Sequence, residues 1–256
     1  MSFAISVRSE ILKTKRSAAF WLSFLGAAFI PLIFFLMYFF KPDVFIPQLK
    51  PNAWESHFEE GWKSLCAFLL PVFVILTCTL IPQIEFRNNA WKQVFASPQP
   101  LANIFFSKFL TIHLMILFCF LSFNVFMLLS AVTVNLFNSR YPFLHQPVDW
   151  LFLLRLSFKT YISILGISAI QYWISLRLKN FIAPIGIGLG LLITALIILH
   201  WEHIYKVPYA HPVLTLMEIR KKHGPLLANH EWNSIGYFIA FTALAFADMV
   251  YRKERG

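Results

Sequence analysis

The sequence predicts an all-α integral membrane protein with six transmembrane helices, and three observations lead there. Apolar residues make up 58% of the chain and charged residues only 13%, about half the charge of an ordinary soluble domain. Several apolar runs reach the roughly 18 to 20 residues that a helix needs to cross the hydrocarbon core. Basic residues gather at the ends of those runs: Arg8, Lys13, Lys15 and Arg16 before the first, Arg252, Lys253 and Arg255 after the last. Lipid offers the backbone no hydrogen-bond partners, so each crossing run must be helical. The whole chain, residues 1–256, is one transmembrane domain with little mass outside the bilayer.

Taken in order, residues 1–17 mix apolar Phe3, Ile5, Val7, Ile11 and Leu12 with charged Arg8, Glu10, Lys13, Lys15 and Arg16. The apolar residues recur near helical spacing. They predict a short amphipathic helix in the inner headgroup layer, its cations facing anionic lipid; the alternative is a disordered basic tail. The first span, 18–40, is too long for a cleavable signal and lacks a small-x-small cleavage site. The second, 62–84, carries Pro71 and Pro82, and the first carries Pro31; each proline removes a helix hydrogen bond and permits a kink. The third, 104–134, has 31 residues and at about 1.5 Å each must tilt or protrude.

The fourth span, 159–176, follows an apolar stretch, 150–158, that carries Arg155 and reads as an interfacial helix leading into it. Arg155 and Lys159, four apart, share a face on which they snorkel to headgroups or meet an anionic substrate. The fifth span, 181–199, contains Pro184, which likewise permits a kink, followed by Gly186, Gly188 and Gly190, small residues that suit close helix packing. An outer loop, 200–233, leads to the sixth span, 234–250.

The net charge of +10 raises nucleic acid as a partner, but the cations sit at span ends and accompany no nucleic-acid-binding motif. Their placement reports orientation instead. With the N-terminus inside, the cytosolic stretches hold Arg8, Lys13, Lys15, Arg16, Arg87, Lys92, Lys108, Arg177, Lys179, Arg252, Lys253 and Arg255. The remaining cations, Arg220, Lys221 and Lys222 among them, spread over much longer outer stretches, so density places both termini in the cytosol. Cys66, Cys78 and Cys119 all lie in apolar runs, odd in number and without metal spacing. They read as small apolar side chains. No G-x-x-x-x-G-K-[ST] occurs, so ATP is not bound here through a P-loop.

Polar residues within spans are functional candidates by default. Asn124 and Gln171 either hydrogen-bond between helices or line a translocation path. Asp248 has Arg252 four residues on and is expected to pair with it. His113 has no nucleophile or acid near it in sequence and reads as a buried, hydrogen-bonded histidine. In the outer loop, His200, His203, His211, His223 and His230 suggest a metal-dependent site or membrane enzyme, since His200 and His203 have helical i, i+3 spacing. Against that, no cysteine joins them, and Trp201, Tyr205 and Tyr209 suit an interfacial belt. No catalytic, cofactor or metal residue is assigned.

The most informative stretch is the interruption at 85–100, EFRNNAWKQVFASPQP, between two long apolar runs. Pro98 and Pro100 end any helix that starts near Glu85, leaving about three turns. Phe86, Trp91, Val94 and Phe95 supply apolar knobs, and Arg87, Asn88, Asn89, Lys92 and Gln93 polar contacts. At about 100° per residue, Trp91, Val94 and Phe95 share one side. Such a helix, lying along the membrane between two spans, could carry force from a cytosolic partner to both; the plain alternative is an interfacial loop with aromatics parked in the headgroups.

Glu85, Trp91-Lys92, Ser97-Pro98 and Ser107-Lys108 at the start of the next span resemble the first cytosolic loop of type-2 ABC exporter permeases. Within that class the chain is similar to six-span permeases that export lantibiotics, peptides or drugs. Lys13-x-Lys15-Arg16-Ser17 followed by Phe20-Trp21 is similar too. The resemblance implies a transport subunit, not an enzyme, in the bacterial plasma membrane. It implies two partners besides lipid: a separate cytosolic ABC ATPase carrying ATP and Mg, and a second permease chain, identical or related. The loop would be the coupling helix, with Glu85, Arg87, Asn88, Trp91, Lys92, Phe95 and Pro98 docking on the ATPase. The long, histidine-rich outer segment 200–232 departs from the smaller-loop members of that class.

Overall fold

The computed structural model describes residues 3–15, 17–49, 52–87, 99–219 and 226–255, with backbone alone for 87, 219 and 252–255. Among them every regular element is helical. The N-terminal helix α1 (Phe3–Thr14) is followed by α2 (Ala18–Phe40), whose first turn is capped by Ser17 Oγ accepting from Phe20 N at 3.4 Å. Then come α3 (Pro42–Leu49), α4 (Ala53–Ser64) and α5 (Leu70–Arg87). The long α6 (Leu101–Phe137), α7 (Trp150–Arg177), α8 (Ile182–Ile197), α9 (His211–Ile219) and α10 (Asn229–Arg255) complete the bundle. The most extensive packing joins α7 to α10, α2 to α6 and α5 to α7, with α1 laid on α6.

Among the described residues five helices are long and apolar enough to cross a membrane: Ala18–Phe40, Ala53–Phe86, Leu101–Phe137, Trp150–Arg177 and Asn229–Tyr251. They cover five of the six expected spans. The run expected as the fifth span forms Ile182–Ile197, 16 residues. At about 1.5 Å each these reach about 24 Å, short of a roughly 30 Å hydrocarbon core. Its start is set by Asn180, whose Oδ1 accepts from Ile182 N at 2.9 Å. Pro184 therefore falls in the first turn, where its missing N–H has no intrahelical partner to lose, so the expected kink has no cause.

Other boundaries move outward. The second span begins with α4, because Asn52 accepts from Glu55 N at 3.3 Å and starts a helix through polar sequence that hydropathy alone reads as loop. A π-helical turn, Leu65–Leu69, joins α4 to α5. It ends just before Pro71, which has no N–H to offer Ala67 and crowds that carbonyl. Residues 150–158 continue without a break into α7 under an Asp149 cap at 2.9 Å, so they are not a separate interfacial helix.

One end of the bundle is closed by aromatic packing. Tyr141 donates to Tyr38 O at 2.6 Å, and Trp54 Nε1 donates to Phe143 O at 3.0 Å. His57, fully buried, sits at 3.0 Å from both the Tyr38 hydroxyl and Met127 O. Nε2 must carry the proton toward that carbonyl, which leaves Nδ1 to accept from Tyr38. The opposite end carries α1, the termini of α5 and α7, and the start of α6, and it is built differently.

Candidate functional site

At that second end, three helices meet over four charges. Glu85 lies in the last turn of α5, Lys108 in the second turn of α6, and Glu10 and Lys13 one turn apart on α1. Lys108 Nζ lies 2.8 Å from Glu10 Oε2 and against Glu85 Oε1. Lys13 Nζ lies 2.7 Å from Glu10 Oε1 and 3.0 Å from Glu85 Oε1. Each ammonium thus bridges the same two carboxylates, and each carboxylate meets both ammoniums. Above them Ser6 Oγ, one α1 turn back from Glu10, donates to Gln99 Oε1 at 3.2 Å.

Burial gives this square its weight. Lys108 is 1% exposed and Glu85 3%, while the Lys13 side chain keeps 38%. A lysine as buried as Lys108 persists in a bundle only when paired, because desolvation of a lone ammonium costs several kcal/mol. Two carboxylates facing two ammoniums leave the set neutral. Burial works against the Lys13 charge, but Glu10 and then Glu85 outweigh it, and its pKa is raised. Glu85 Oε2 is buried and without a hydrogen-bond partner among the described residues.

The sequence reading singled out Glu85 and the Lys108 position but expected the α1 cations to face lipid. Lys13 turns inward instead, drawn by two carboxylates, while Arg8 and Lys15 are exposed. The buried stripe of α1 is polar, formed by Ser6, Glu10 and Thr14, and the apolar Phe3, Ile5, Ile11 and Leu12 are exposed. Glu10 was missed as a partner. The available signal was that it is the sole acid before Asp43, set among Arg8, Lys13, Lys15 and Arg16. Of the expected docking residues, Asn88, Trp91, Lys92, Phe95 and Pro98 lie outside the described residues, as does the side chain of Arg87.

The interior candidates bond between helices. Asn124 Oδ1 accepts from Trp62 Nε1 at 3.2 Å, and its Nδ2 donates to Ser157 Oγ at 3.2 Å. Gln171, fully buried, donates to Pro184 O at 2.8 Å and Thr79 Oγ1 at 3.2 Å and accepts from Tyr209 at 3.1 Å. His113 is buried beside the Tyr161 hydroxyl at 3.0 Å. Asp248 meets α7: Oδ2 accepts from Trp173 Nε1 at 3.3 Å and lies 3.9 Å from Arg177 Nε, while the side chain of Arg252, its expected partner, lies outside the described residues. Lys159 is mostly buried, 3.4 Å from Glu231, so the snorkelling reading gives way to an ion pair with α10.

Among the described residues the histidines do not converge on a metal centre. Residues 198–200 form a turn and 204–206 a single 3₁₀ turn, so His200 and His203 are not presented at α-helical spacing. His211 Nε2 donates to Tyr205 O at 2.9 Å, and His230 bonds Thr215 Oγ1 at 2.9 Å. Among the described residues no group of three His, Cys, Asp or Glu is placed to hold a metal ion; His223 lies outside them. The three cysteines are buried and free.

The family model described as ABC-2 family transporter protein matches residues 6–195. That match runs from within α1 to within α8 and includes residues 85–108. No curated protein sequence matches the chain, and no solved structure does.

Proposed function

The chain belongs to the ABC-2 family of transporter proteins, a multi-pass membrane permease of an ABC transporter, and from that premise we propose that residues 85–100 are its contact with a separate cytosolic ATPase. The ATPase carries ATP and Mg; this chain carries no cofactor. Both termini and the 85–100 segment face the cytosol of a bacterial plasma membrane, in line with the density of cations there. The short α8 is counted as a sixth crossing, completed by local thinning and its flanking turns. Two permease chains, identical or related, pair over two ATPases and export a peptide, drug or lipid-like substrate. The exposed apolar faces of α2 and α10 suit both lipid and such a cargo.

The observation that supports this most is the Glu85–Lys108 contact. It joins the end of α5 to the start of α6 inside the protein, the two helices that residues 88–98 link in sequence. A load applied to that segment reaches two membrane-crossing helices through one buried ion pair. On this reading Trp91, Val94 and Phe95 seat in the ATPase, while Arg87, Asn88, Lys92 and Pro98 set the rim and the end of the contact. Asn124 and Gln171 hold the bundle's packing along the path the cargo takes.

The test is a photo-crosslinker in place of Gln93 in the tagged chain, expressed from its own cells. A crosslinked P-loop ATPase supports the assignment. Labelling of Gln93→Cys by a membrane-impermeant maleimide in intact cells would place the segment outside and end it.

A further inference from the structure

We infer that Arg155, Lys159 and Glu231 form a binding site, between α7 and α10, for a zwitterionic phospholipid headgroup that carries a primary amine, as phosphatidylethanolamine does. The site goes beyond the ATPase contact and does not depend on it. Only its leaflet, the outer one, follows from the orientation proposed above.

Two counts put these residues at one depth. About 20 helical residues cross the hydrocarbon core. Counted back from Arg177, at the end of α7, they reach about residue 157; counted back from Tyr251 on α10, they reach about residue 231. Lys159 and Glu231 therefore meet where acyl chains give way to headgroups. Their sequence neighbours Phe158 and Trp232 are exposed there, 56% and 60%, as an apolar ring and an interfacial tryptophan at that depth should be. Both helices begin at this end, and helical side chains lean toward the start of their own helix. The three charges thus lean toward the headgroups, with Arg155 exposed one turn before Lys159 on the same face.

The pair is incomplete in a complementary way. Glu231 is fully buried, and its Oε2 accepts from Ala228 N at 2.7 Å and faces Lys159 Nζ at 3.4 Å. Oε1, also buried, has no hydrogen-bond partner among the described residues. A buried carboxylate oxygen left without a donor is costly. Lys159, with 12% of its side chain exposed, has three N–H groups, and its contact is longer than the roughly 2.7–2.9 Å of a charge-assisted hydrogen bond. One side lacks a donor and the other lacks acceptors. A headgroup phosphate supplies acceptors to Lys159 and to the Arg155 guanidinium, and an ethanolamine ammonium supplies the donor to Glu231 Oε1. Choline has no N–H to give, and a glycerol headgroup has no positive charge to set against the carboxylate. The acyl chains then run past Phe158 and Trp232 along exposed Ile239 and Leu244 of α10.

The test is native mass spectrometry of the delipidated full-length chain with matched-chain lipids whose ethanolamine nitrogen bears none, one, two or three methyl groups. Binding is expected to persist through the second methyl and to fall about tenfold at the third, where the last N–H is lost, the scale of one hydrogen bond to a charged group. Phosphatidylglycerol should bind as weakly as the choline lipid, and glycerophosphoethanolamine, which has no acyl chains, should not compete at millimolar concentration. Competition by that soluble compound would assign the site to a free solute and overturn the lipid reading. Lys159→Gln with Glu231→Gln removes both charges together and strands neither; it should abolish the step at the third methyl while the lipid-free thermal midpoint stays. Arg155→Gln, at an exposed position, should weaken all four lipids alike and keep the step. Equal binding of the four lipids to the wild-type chain overturns the site without recourse to any variant, as does a step that survives in the double variant.

Discussion

Gln171 Nε2 donates to the carbonyl of Pro184 at 2.8 Å, and Gly188, one turn further along α8, is what lets the two helices come that close. A Cβ at 188 would lie 2.6 Å from Gln171 Oε1 and 2.8 Å from Ile75 Cγ2. The expectation that Gly186, Gly188 and Gly190 all serve close packing thus narrows to Gly188, since a Cβ at either of the others meets nothing within 4 Å. Gly188→Ala should lower the thermal midpoint in detergent, with a cost of about 1–3 kcal/mol from overpacking. Gly186→Ala and Gly190→Ala should leave it unchanged or raised, because alanine is the better helix former. Equal behaviour of the three variants would remove Gly188 from its role.

Lys108 offers a contrast with the exposed pair of Arg140 and Asp43, which lie 2.8 Å apart with side chains 63% and 78% exposed. Lys108→Met strands Glu10 and Glu85 with Lys13 alone and should cost about 3–5 kcal/mol, the range for breaking a buried pair from one side. Arg140→Ala should cost less than about 1 kcal/mol, and less again in high salt. Chemical denaturation in mixed micelles compares them directly.

His211 sets a pH dependence. Burial lowers its pKa from 6.5 to about 4, against the opposing effect of its bond to Tyr205 O. The unfolded chain therefore binds a proton before the folded one does. Stability from the neutral ring is complete above the unfolded value of 6.5 and declines as pH falls toward about 4, below which it no longer changes. The loss amounts to up to about 3 kcal/mol at 1.36 kcal/mol per pKa unit. His211→Gln keeps a donor for Tyr205 O and should flatten this acid limb in thermal scans taken across that range. An unchanged limb would assign it to other groups.

Trp91→Ala tests the docking surface apart from the bundle. It should reduce co-purification of the ATPase by about tenfold or more, as loss of a central aromatic anchor of at least 2 kcal/mol does. The thermal midpoint of the permease alone should not move. A variant that keeps full ATPase binding would put the contact elsewhere.

Much of the architecture was legible because a membrane leaves the chain few choices. Runs such as 18–40 and 104–134 have to be helical, and the helices found over them are Ala18–Phe40 and Leu101–Phe137. Boundaries that depend on capping were less legible: Asn52 starts a helix in sequence whose hydropathy says loop, and Asp149 starts one helix where an interfacial helix and a span were expected. At the site, Glu85 and Lys108 stood out as charges flanking an interruption, whereas Glu10 carried no signal of its partner.

By itself, then, the sequence determined where helices cross, which residues interrupt them, and which end carries the denser positive charge, since each of these follows from local composition. Which side chain meets which was decided by tertiary structure alone: Glu10 with Lys108, Lys159 with Glu231, Asp248 with Trp173, Gln171 with Pro184. In a soluble protein the buried face of a helix is marked by its apolarity. Here lipid and protein interior are equally apolar, so that mark is missing, and partners up to 98 residues apart are found only when the helices are packed.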